Sequence, residues 1–300
     1  ERLAIIDIGS NTIRLVIYGI NRYFDIEELH NVKTPARLAE FLHEKKGQTI
    51  LDQAGIDRVI MTLNSFKQVM RRFQVDTVKA MATAAIRQSS NQKEILAAID
   101  QATGIQVELL SEQQEAEYGQ YAVNYTMNVH DAITIDMGGA STEVTLFKDK
   151  EMVAYHSFPF GTVSLKDRFF NGKSHNDRKA IDKTSAFLKD AFKSLPWLKK
   201  SKLPLIAIGG SARNVANVHQ RMTAYPMAGL HGYPMTNDNL LTTLNLFLET
   251  EAETLSDIDG LSNDRVDIIV PANLAFLESM NVIKAPEMLI SSQGIREGII

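Results

Sequence analysis

Residues 3–20 read LAIIDIGSNTIRLVIYGI, and this stretch decides the fold. An apolar run comes first, a polar turn containing Gly9 follows, and a second run rich in β-branched residues completes the stretch. That order is typical of a β-hairpin. The stretch therefore predicts two paired strands joined by a short turn that a glycine opens.

A second copy of this pattern lies at residues 132–149, which read AITIDMGGASTEVTLFKD. Three pairs of residues align at an offset of 129 positions (136 − 7), namely Asp7 with Asp136, Gly9 with Gly138, and Ser10 with Gly139. Two like hairpins half a chain apart indicate an internal duplication. We therefore expect two similar α/β lobes.

The hydrophobic period changes between the hairpins. Apolar residues keep helical spacing over residues 53–73, which predicts one long amphipathic helix. Residues 75–87 read as a buried strand that runs into a loop at Arg87, and residues 91–104 read as a second helix. Each unit is thus strand, polar turn and helix, an order that places ligand groups at the carboxyl ends of strands.

Composition excludes several classes of protein. The chain has 300 residues, 44% of them apolar, and a net charge of −4, so duplex nucleic acid is not expected as a partner. It has no cysteine, which excludes disulfides, zinc–thiolate sites and thiol nucleophiles. The apolar runs are too short to cross a bilayer. No signal sequence is visible, so we expect no membrane association and a cytoplasmic location.

The hairpin turns are candidate anion sites, because glycine and small hydroxyl residues let main-chain amides point at a phosphate. Hairpin chemistry by itself also explains such turns, but two copies at one offset favour the anion site. Two such turns facing each other would hold a phosphate from both sides. Gly209, Gly210 and Ser211 follow the apolar run LPLIAI and make a third turn of this kind at a predicted helix start.

Carboxylates lie near these turns, at Asp7, Asp136 and Glu143. Oxygen ligands of this type suit Mg²⁺, although turn capping is the other interpretation. Arg87 could stabilise charge on a phosphoryl group. Ser111 and Gln114 match a capping box, so residues 109–121 predict a helix start whatever else Glu115 does.

Seven segments together resemble the exopolyphosphatase and guanosine pentaphosphate phosphatase family (Ppx/GppA): DIGSNTIRL, ATAAIR, SEQQEA, DMGGASTE, IGGSARN, PANLAFL and GIREG, in this order. The resemblance implies an α/β fold of two ribonuclease H-like lobes around an interlobe cleft, in the superfamily of actin, sugar kinases and heat-shock chaperones. It implies the short two-domain form, with lobes at 1–128 and 129–300. The last helix, near 292–300, would pack back on the first lobe.

The resemblance also implies the roles of individual residues. Glu115 would be the general base, and Asp136 and Glu143 would be catalytic and hold Mg²⁺, with Asp7 a weaker metal ligand. The phosphate-binding residues would be Ser10, Asn11, Thr12, Arg14, Arg87, Gly138, Gly139, Ser141, Thr142, Gly209, Gly210 and Ser211. The substrate would be inorganic polyphosphate or guanosine pentaphosphate, and a homodimer is left open.

The chain departs from the family pattern at a few positions. Glu112 replaces a glycine, Gln114 replaces the first of two paired glutamates, and Ala140 replaces the third glycine of the second turn. A weakly active or inactive sensor of polyphosphate or of a guanosine alarmone is therefore the alternative. A kinase or filament-forming ATPase of the same superfamily is a third reading, because a fold does not fix a function.

Overall fold

A computed structural model describes residues 1–23, 25–226 and 229–300. The chain divides into two compact units, Glu1–Gln114 and Glu115–Ile300. The division falls inside a helix that begins at Glu112. The boundary predicted from sequence, at residue 128, lies just after that helix ends, and it stays a prediction.

Over residues 1–23 and 25–114, the first unit contains a five-stranded sheet, a small two-stranded sheet, three α-helices and a 3-10 turn at Leu38–Phe41. Its elements are, in chain order, β1 (Arg2–Ile8), β2 (Ile13–Ile20), β3 (Ile26–Thr34), β4 (Leu42–Lys45), β5 (Gln48–Leu51), α1 (Gln53–Arg72), β6 (Thr77–Ala82), α2 (Ala84–Arg87), α3 (Gln92–Thr103) and β7 (Val107–Leu109). The large sheet has the order β3-β2-β1-β6-β7, and β4 pairs with β5.

Helix α1 confirms the prediction of an amphipathic helix over 53–73. It begins where the Asp52 side chain accepts a hydrogen bond from the Gly55 N–H at 2.8 Å. Its buried residues recur every three or four positions, so that one face meets the sheet. The core of this unit joins that face to alternate residues of β1 and β2, among them Ile6 and Leu15.

The second unit contains a six-stranded sheet and most of the helices. After α4 (Glu112–Thr126), its elements are β8 (Ala132–Met137), β9 (Thr142–Lys148), β10 (Glu151–Phe158), α5 (Thr162–Phe169), α6 (Arg178–Lys193), β11 (Leu205–Ile208), α7 (Gly210–Met222), β12 (Pro234–Met235), α8 (Asn237–Glu249), α9 (Ile269–Ile283), β13 (Met288–Ile290) and α10 (Ile295–Ile299). The sheet has the order β10-β9-β8-β11-β13-β12.

Both faces of this sheet are covered. One face, with Ile133 and Ile135, packs into a large core with α6, α7 and α9. The other face, with Ile206 and Ile208, packs against Val123 of α4. The unit therefore has a sheet between two layers of helix.

The two units repeat one topology. In each, three antiparallel strands come first, and two later strands pair in parallel on the other side of the first strand, β6 and β7 in one unit and β11 and β13 in the other. Strands β8, β9 and β10 correspond to β1, β2 and β3. The predicted fold class, two ribonuclease H-like α/β lobes, is confirmed, and so are both hairpins.

Some elements differ from the prediction. Arg87 does not lie in a loop: it ends the short helix α2, because its N–H donates to the Thr83 carbonyl at 3.0 Å and continues the chain as a helical turn. Strand β3 and helices α5 and α8 were not predicted. Within the described ranges, no helix is both long enough and apolar enough to cross a bilayer.

Candidate functional site

Two carboxylates lie opposite one another on adjacent strands of the second unit. Asp136 on β8 is the register partner of Glu143 on β9, so both side chains leave the same face of the sheet. Glu143 is buried, and its Oε1 accepts a hydrogen bond from the Ser157 hydroxyl at 2.9 Å. Like charges placed directly opposite destabilise a sheet. The pair therefore suits a cation, and its oxygen donors are those that Mg²⁺ prefers.

The first turn of α5 forms hydrogen bonds with one side of the turn that joins these strands. Its closing hydrogen bond runs from the Gly138 N–H to the Ser141 carbonyl at 3.0 Å. The carbonyl of Gly138 accepts from the N–H of Thr162 at 2.9 Å, and that of Gly139 accepts from the first turn of α5. A Cβ at Gly161 would collide with the Gly138 carbonyl, so only glycine permits this approach.

On the other side of the turn, main-chain N–H groups remain that could donate hydrogen bonds to a ligand. Among the described residues, the main-chain N–H groups of Gly139 and Ser141 donate to no acceptor. Amides held in this way can donate to a phosphate oxygen. Thr142, in contrast, is fully buried, and its hydroxyl donates to the Phe160 carbonyl at 2.7 Å. Its predicted phosphate contact stays a prediction.

The third glycine turn lies next to the carboxylate pair. Gly209 has φ of 99°, a conformation that favours glycine. A Cβ there would also stand 3.0 Å from Oδ1 of Asp136. The register of β11 with β8 explains this closeness, because Ile208 pairs with Asp136. The structure thus brings Asp136 and Gly209, at the carboxyl ends of β8 and β11, together with Glu143 at the start of β9.

Arg265 contacts this turn from a distant segment, and the sequence did not predict it as a site residue. Its guanidinium occupies the space that a Cβ on Gly210 would need, and its Nη1 donates to the Ser211 hydroxyl at 2.9 Å. Arg265 is buried. It lies 54 residues after Ser211, at the end of a short 3-10 turn (Asn263–Arg265), so no local signal in the sequence could have found it.

Glu115 lies on the face of α4 that packs on the second sheet. It is buried, at 6% exposure. Gly119, one helical turn later, lies against Ile208, and Val123, a further turn on, joins the cluster with Ile206 and Ile208. The helical spacing of four places all three residues on one stripe. This stripe brings Glu115 toward the carboxyl end of β11, where Gly209 follows.

The start of α4 confirms the predicted capping box. The Ser111 N–H donates to Oε1 of Gln114 at 2.9 Å, and the Gln114 N–H donates to the Ser111 hydroxyl at 3.2 Å. Both side chains are therefore used in the cap. Glu115 is the next residue along the helix.

In the first unit, Asp7 opposes Arg14 across β1 and β2. The Arg14 guanidinium also donates from Nη1 to Oδ1 of Asn31, on β3, at 2.8 Å. An acid and a base opposite one another form a favourable pair. Asp7 therefore has a cationic neighbour where Asp136 has a second carboxylate, which favours Asp136 over Asp7 as a metal ligand.

The turn between β1 and β2 resembles its counterpart in the second unit. The Gly9 N–H donates to the Thr12 carbonyl at 3.1 Å, and the carbonyls of Ser10 and Asn11 accept from the chain just after β3, at 3.0 and 2.7 Å. Asn11 is 5% exposed, and among the described residues neither polar atom of its side chain has a hydrogen-bond partner. Such a buried amide calls for a ligand or water.

Arg87 is held at the end of β7. Its Nη1 donates to the Leu110 carbonyl at 3.0 Å, and its Nε stands 4.0 Å from Oε1 of Glu112. Glu112 is one of the departures from the family pattern, and it places a carboxylate beside the predicted phosphate-binding arginine. Within the described part of the chain, no group of three or more His, Asp or Glu residues could hold a metal. The metal hypothesis therefore depends on the Asp136–Glu143 pair.

The chain has clear similarity to known proteins. The sequence profile described as the Ppx/GppA phosphatase family matches residues 16–300. A putative exopolyphosphatase of Haemophilus influenzae is 28% identical over all of this chain and 90% of its own length. A guanosine-5'-triphosphate,3'-diphosphate pyrophosphatase of Pseudoalteromonas atlantica is 27% identical over all of this chain, which spans 58% of that protein. The crystal structure of the Aquifex aeolicus Ppx/GppA family member superimposes with a TM-score of 0.80 at 26% identity, covering 99% of this chain and 95% of that one.

Proposed function

The chain belongs to the Ppx/GppA family of phosphatases, and we propose that it is an exopolyphosphatase that releases orthophosphate from the end of inorganic polyphosphate. Guanosine pentaphosphate is proposed as a second substrate. The names of its relatives support both substrates, because one is a putative exopolyphosphatase and another a guanosine-5'-triphosphate,3'-diphosphate pyrophosphatase.

The observation that carries this proposal is the arrangement at the carboxyl ends of β8 and β11. The acidic pair of Asp136 and Glu143 lies beside the turn at Gly138, and a Cβ on Gly209 would stand 3.0 Å from Oδ1 of Asp136. Carboxylates next to anion-binding turns suit a cation and a phosphate together. An acidic pair without such turns would not favour a phosphorylated substrate.

Asp136 and Glu143 would hold Mg²⁺ in this proposal. Magnesium is typically bound by one or two carboxylates together with substrate phosphate oxygens and water, and this pair supplies two carboxylates. When bound, the ion would neutralise charge on the phosphoryl group and on the leaving phosphate. The protein's own residues have the remaining tasks.

Those tasks are positioning and proton transfer. The amides of Gly139 and Ser141 would bind oxygens of the terminal phosphoryl group. Glu115 would take a proton from a water molecule, whose oxygen attacks phosphorus in line as the bridging P–O bond breaks. Orthophosphate and a chain shorter by one phosphate are the products. Positioning and charge neutralisation supply most of the rate in such reactions.

Phosphate release from polyphosphate with Mg²⁺ tests this proposal, in the wild-type protein and in a Glu115→Gln variant. Loss of a general base lowers the rate by about a hundredfold or more. Glu117→Gln is the matched control, because it removes an acid of the same helix two residues away. We expect kcat to fall in the first variant and to stay within about twofold in the second.

Equal rates in the wild-type protein and Glu115→Gln would contradict the role of Glu115. Tight binding of polyphosphate without turnover by the wild-type protein would instead support a sensor.

A further inference from the structure

A short segment of the second unit runs along helix α7 and ends at Arg265. This strap comprises residues 259–265. Side chains of α7 hold it at two points: Nδ2 of Asn217 donates to the Gly260 carbonyl at 2.9 Å, and Oδ1 of Asn214 accepts from the Ser262 N–H at 2.8 Å. Arg265 then donates to the Ser211 hydroxyl at 2.9 Å.

These contacts follow one face of the helix. Ser211, Asn214 and Asn217 are three residues apart, and residues at this spacing are neighbours on a helix surface. Successive residues of the strap contact α7 progressively closer to its first turn. The two segments therefore run antiparallel. The strap therefore carries Arg265 to the start of α7.

A glycine allows the strap to lie this close. Gly260 has φ of 92°, and a Cβ there would stand 3.0 Å from main-chain atoms of Asn217 and Val218. Any other residue would push the strap away from the helix. The exposed pair of Arg221 and Asp259, at 3.0 Å, contributes little, since surface ion pairs are weak.

Asn214 joins the strap to the glycine turn itself. It is buried at 9% exposure, its Nδ2 donates to the Gly210 carbonyl at 2.9 Å, and its Oδ1 accepts from the strap. One amide therefore fixes both the turn and the segment that carries Arg265. A buried guanidinium is costly unless its partners are held in place, so a fixed strap lowers the cost of burying Arg265.

We propose that Asn214 and Asn217 are positioning residues, which pin the strap to α7 and thereby hold Arg265 against the Gly210–Ser211 turn. The cation fixed there supports binding of a phosphate by the turn. This inference rests on the proposed function, because it assigns the turn to the substrate's phosphate. Neither asparagine touches the substrate, and each acts through Arg265.

A double-mutant cycle tests the proposal, with Asn214→Ala and Arg265→Gln made singly and together. We expect Asn214→Ala to lower kcat/KM for polyphosphate about tenfold, mainly through KM, and Arg265→Gln to lower it further. If Asn214 acts through Arg265, the double variant loses no more than Arg265→Gln alone. Additive losses would overturn the proposal.

Two more variants separate positioning from loss of stability. Asn237→Ala removes a hydrogen bond between α8 and α9, from Asn237 Nδ2 to Asn281 Oδ1 at 2.6 Å, and should leave KM unchanged. Asn217 lies further from the turn than Asn214, so Asn217→Ala should raise KM by about threefold. Its Tm should be close to that of Asn237→Ala. If Asn214→Ala and Asn217→Ala both have the same KM as Asn237→Ala, the positioning role is contradicted.

Calorimetric measurement of inorganic phosphate binding tests the strap proposal even if the proposed hydrolase function is wrong. If the wild-type protein cleaves neither polyphosphate nor guanosine pentaphosphate, the proposed function fails. The strap proposal then requires weaker phosphate binding, by about tenfold, in both single variants and no further loss in the double variant. Equal phosphate affinity in all four proteins would overturn it.

Discussion

Arg14 and Glu143 occupy the same place in the two hairpins but carry opposite charges. Arg14 opposes Asp7, and Glu143 opposes Asp136. The turn between the strands closes with an equivalent hydrogen bond in both units, from the Gly9 N–H to the Thr12 carbonyl and from the Gly138 N–H to the Ser141 carbonyl. The first pair places a base opposite an acid, and the second places two acids opposite one another, an arrangement that suits the proposed Mg²⁺. The duplicated hairpin thus presents an acid–base pair in one unit and two acids in the other.

Magnesium binding is the prediction that follows for these residues. Glu143→Gln removes one of the two opposed carboxylates, so we expect the affinity for Mg²⁺ to fall by about tenfold or more. Glu117→Gln removes an acid of α4 that is not assigned to the metal and is the matched control, with unchanged affinity. Calorimetric titration with Mg²⁺ measures both. Equal affinities in the wild-type protein and Glu143→Gln would exclude Glu143 as a ligand.

Arg265 shows the limit of prediction at the residue scale. The glycines at 209 and 210 could be predicted as a turn, because two glycines follow an apolar strand. The cation that contacts this turn comes from a distant part of the chain. No spacing rule connects residues that only the path of the strap brings together.

At the scale of elements, helix α4 begins with a side-chain cap and carries the proposed general base, Glu115, on the face that packs on the second sheet. The cap of Ser111 and Gln114 fixes where the helix begins. The stripe of Glu115, Gly119 and Val123 then packs on the second sheet. The register of the helix is thus set before Glu115 is reached, so a shift at the cap would rotate the carboxylate away from its place.

Ser111→Ala is therefore expected to destabilise the protein by about 1 kcal/mol, the usual cost of losing a side-chain cap. Ser201→Ala is the control, because the Ser201 hydroxyl has no hydrogen-bond partner within the described ranges. Urea unfolding of both variants gives the two free energies. A Ser111→Ala variant as stable as the control would show that the cap contributes nothing.

At the scale of the whole molecule, stability should depend on pH through a buried histidine. His219 lies on α7, and its Nδ1 is 2.8 Å from the Tyr233 hydroxyl. Burial lowers the pKa of His219 below its ordinary value of 6.5. Between 6.5 and that lower pKa, the unfolded chain binds a proton that the folded chain does not. Stability therefore falls as the pH falls through this window.

His219→Gln removes this proton linkage while its amide can still bond to Tyr233. We expect the variant to lose less stability than the wild-type protein when the pH is lowered from about 7 to about 5. His130→Gln, which removes an exposed imidazole, is the control. Urea unfolding at several pH values measures the slopes. Identical slopes in the wild-type protein and His219→Gln would refute the linkage.

The sequence by itself determined the repeated hairpins, the glycine turns, the long helix α1, the cap of α4 and the α/β class. These features depend on residues that are near one another in the chain, where periodicity, turn chemistry and capping leave local patterns. The offset of 129 residues was enough to predict that one topology occurs twice. The resemblance to the family rested on the same local segments.

Only the tertiary structure decided which side chains meet. The opposition of Asp136 to Glu143 depends on strand register, the closeness of Asp136 to Gly209 on the pairing of β8 with β11, and the place of Arg265 on the strap. Each of these relations joins residues that strand pairing or packing brings together. The chemistry of a site depends on such distances, and no local pattern in the chain records them.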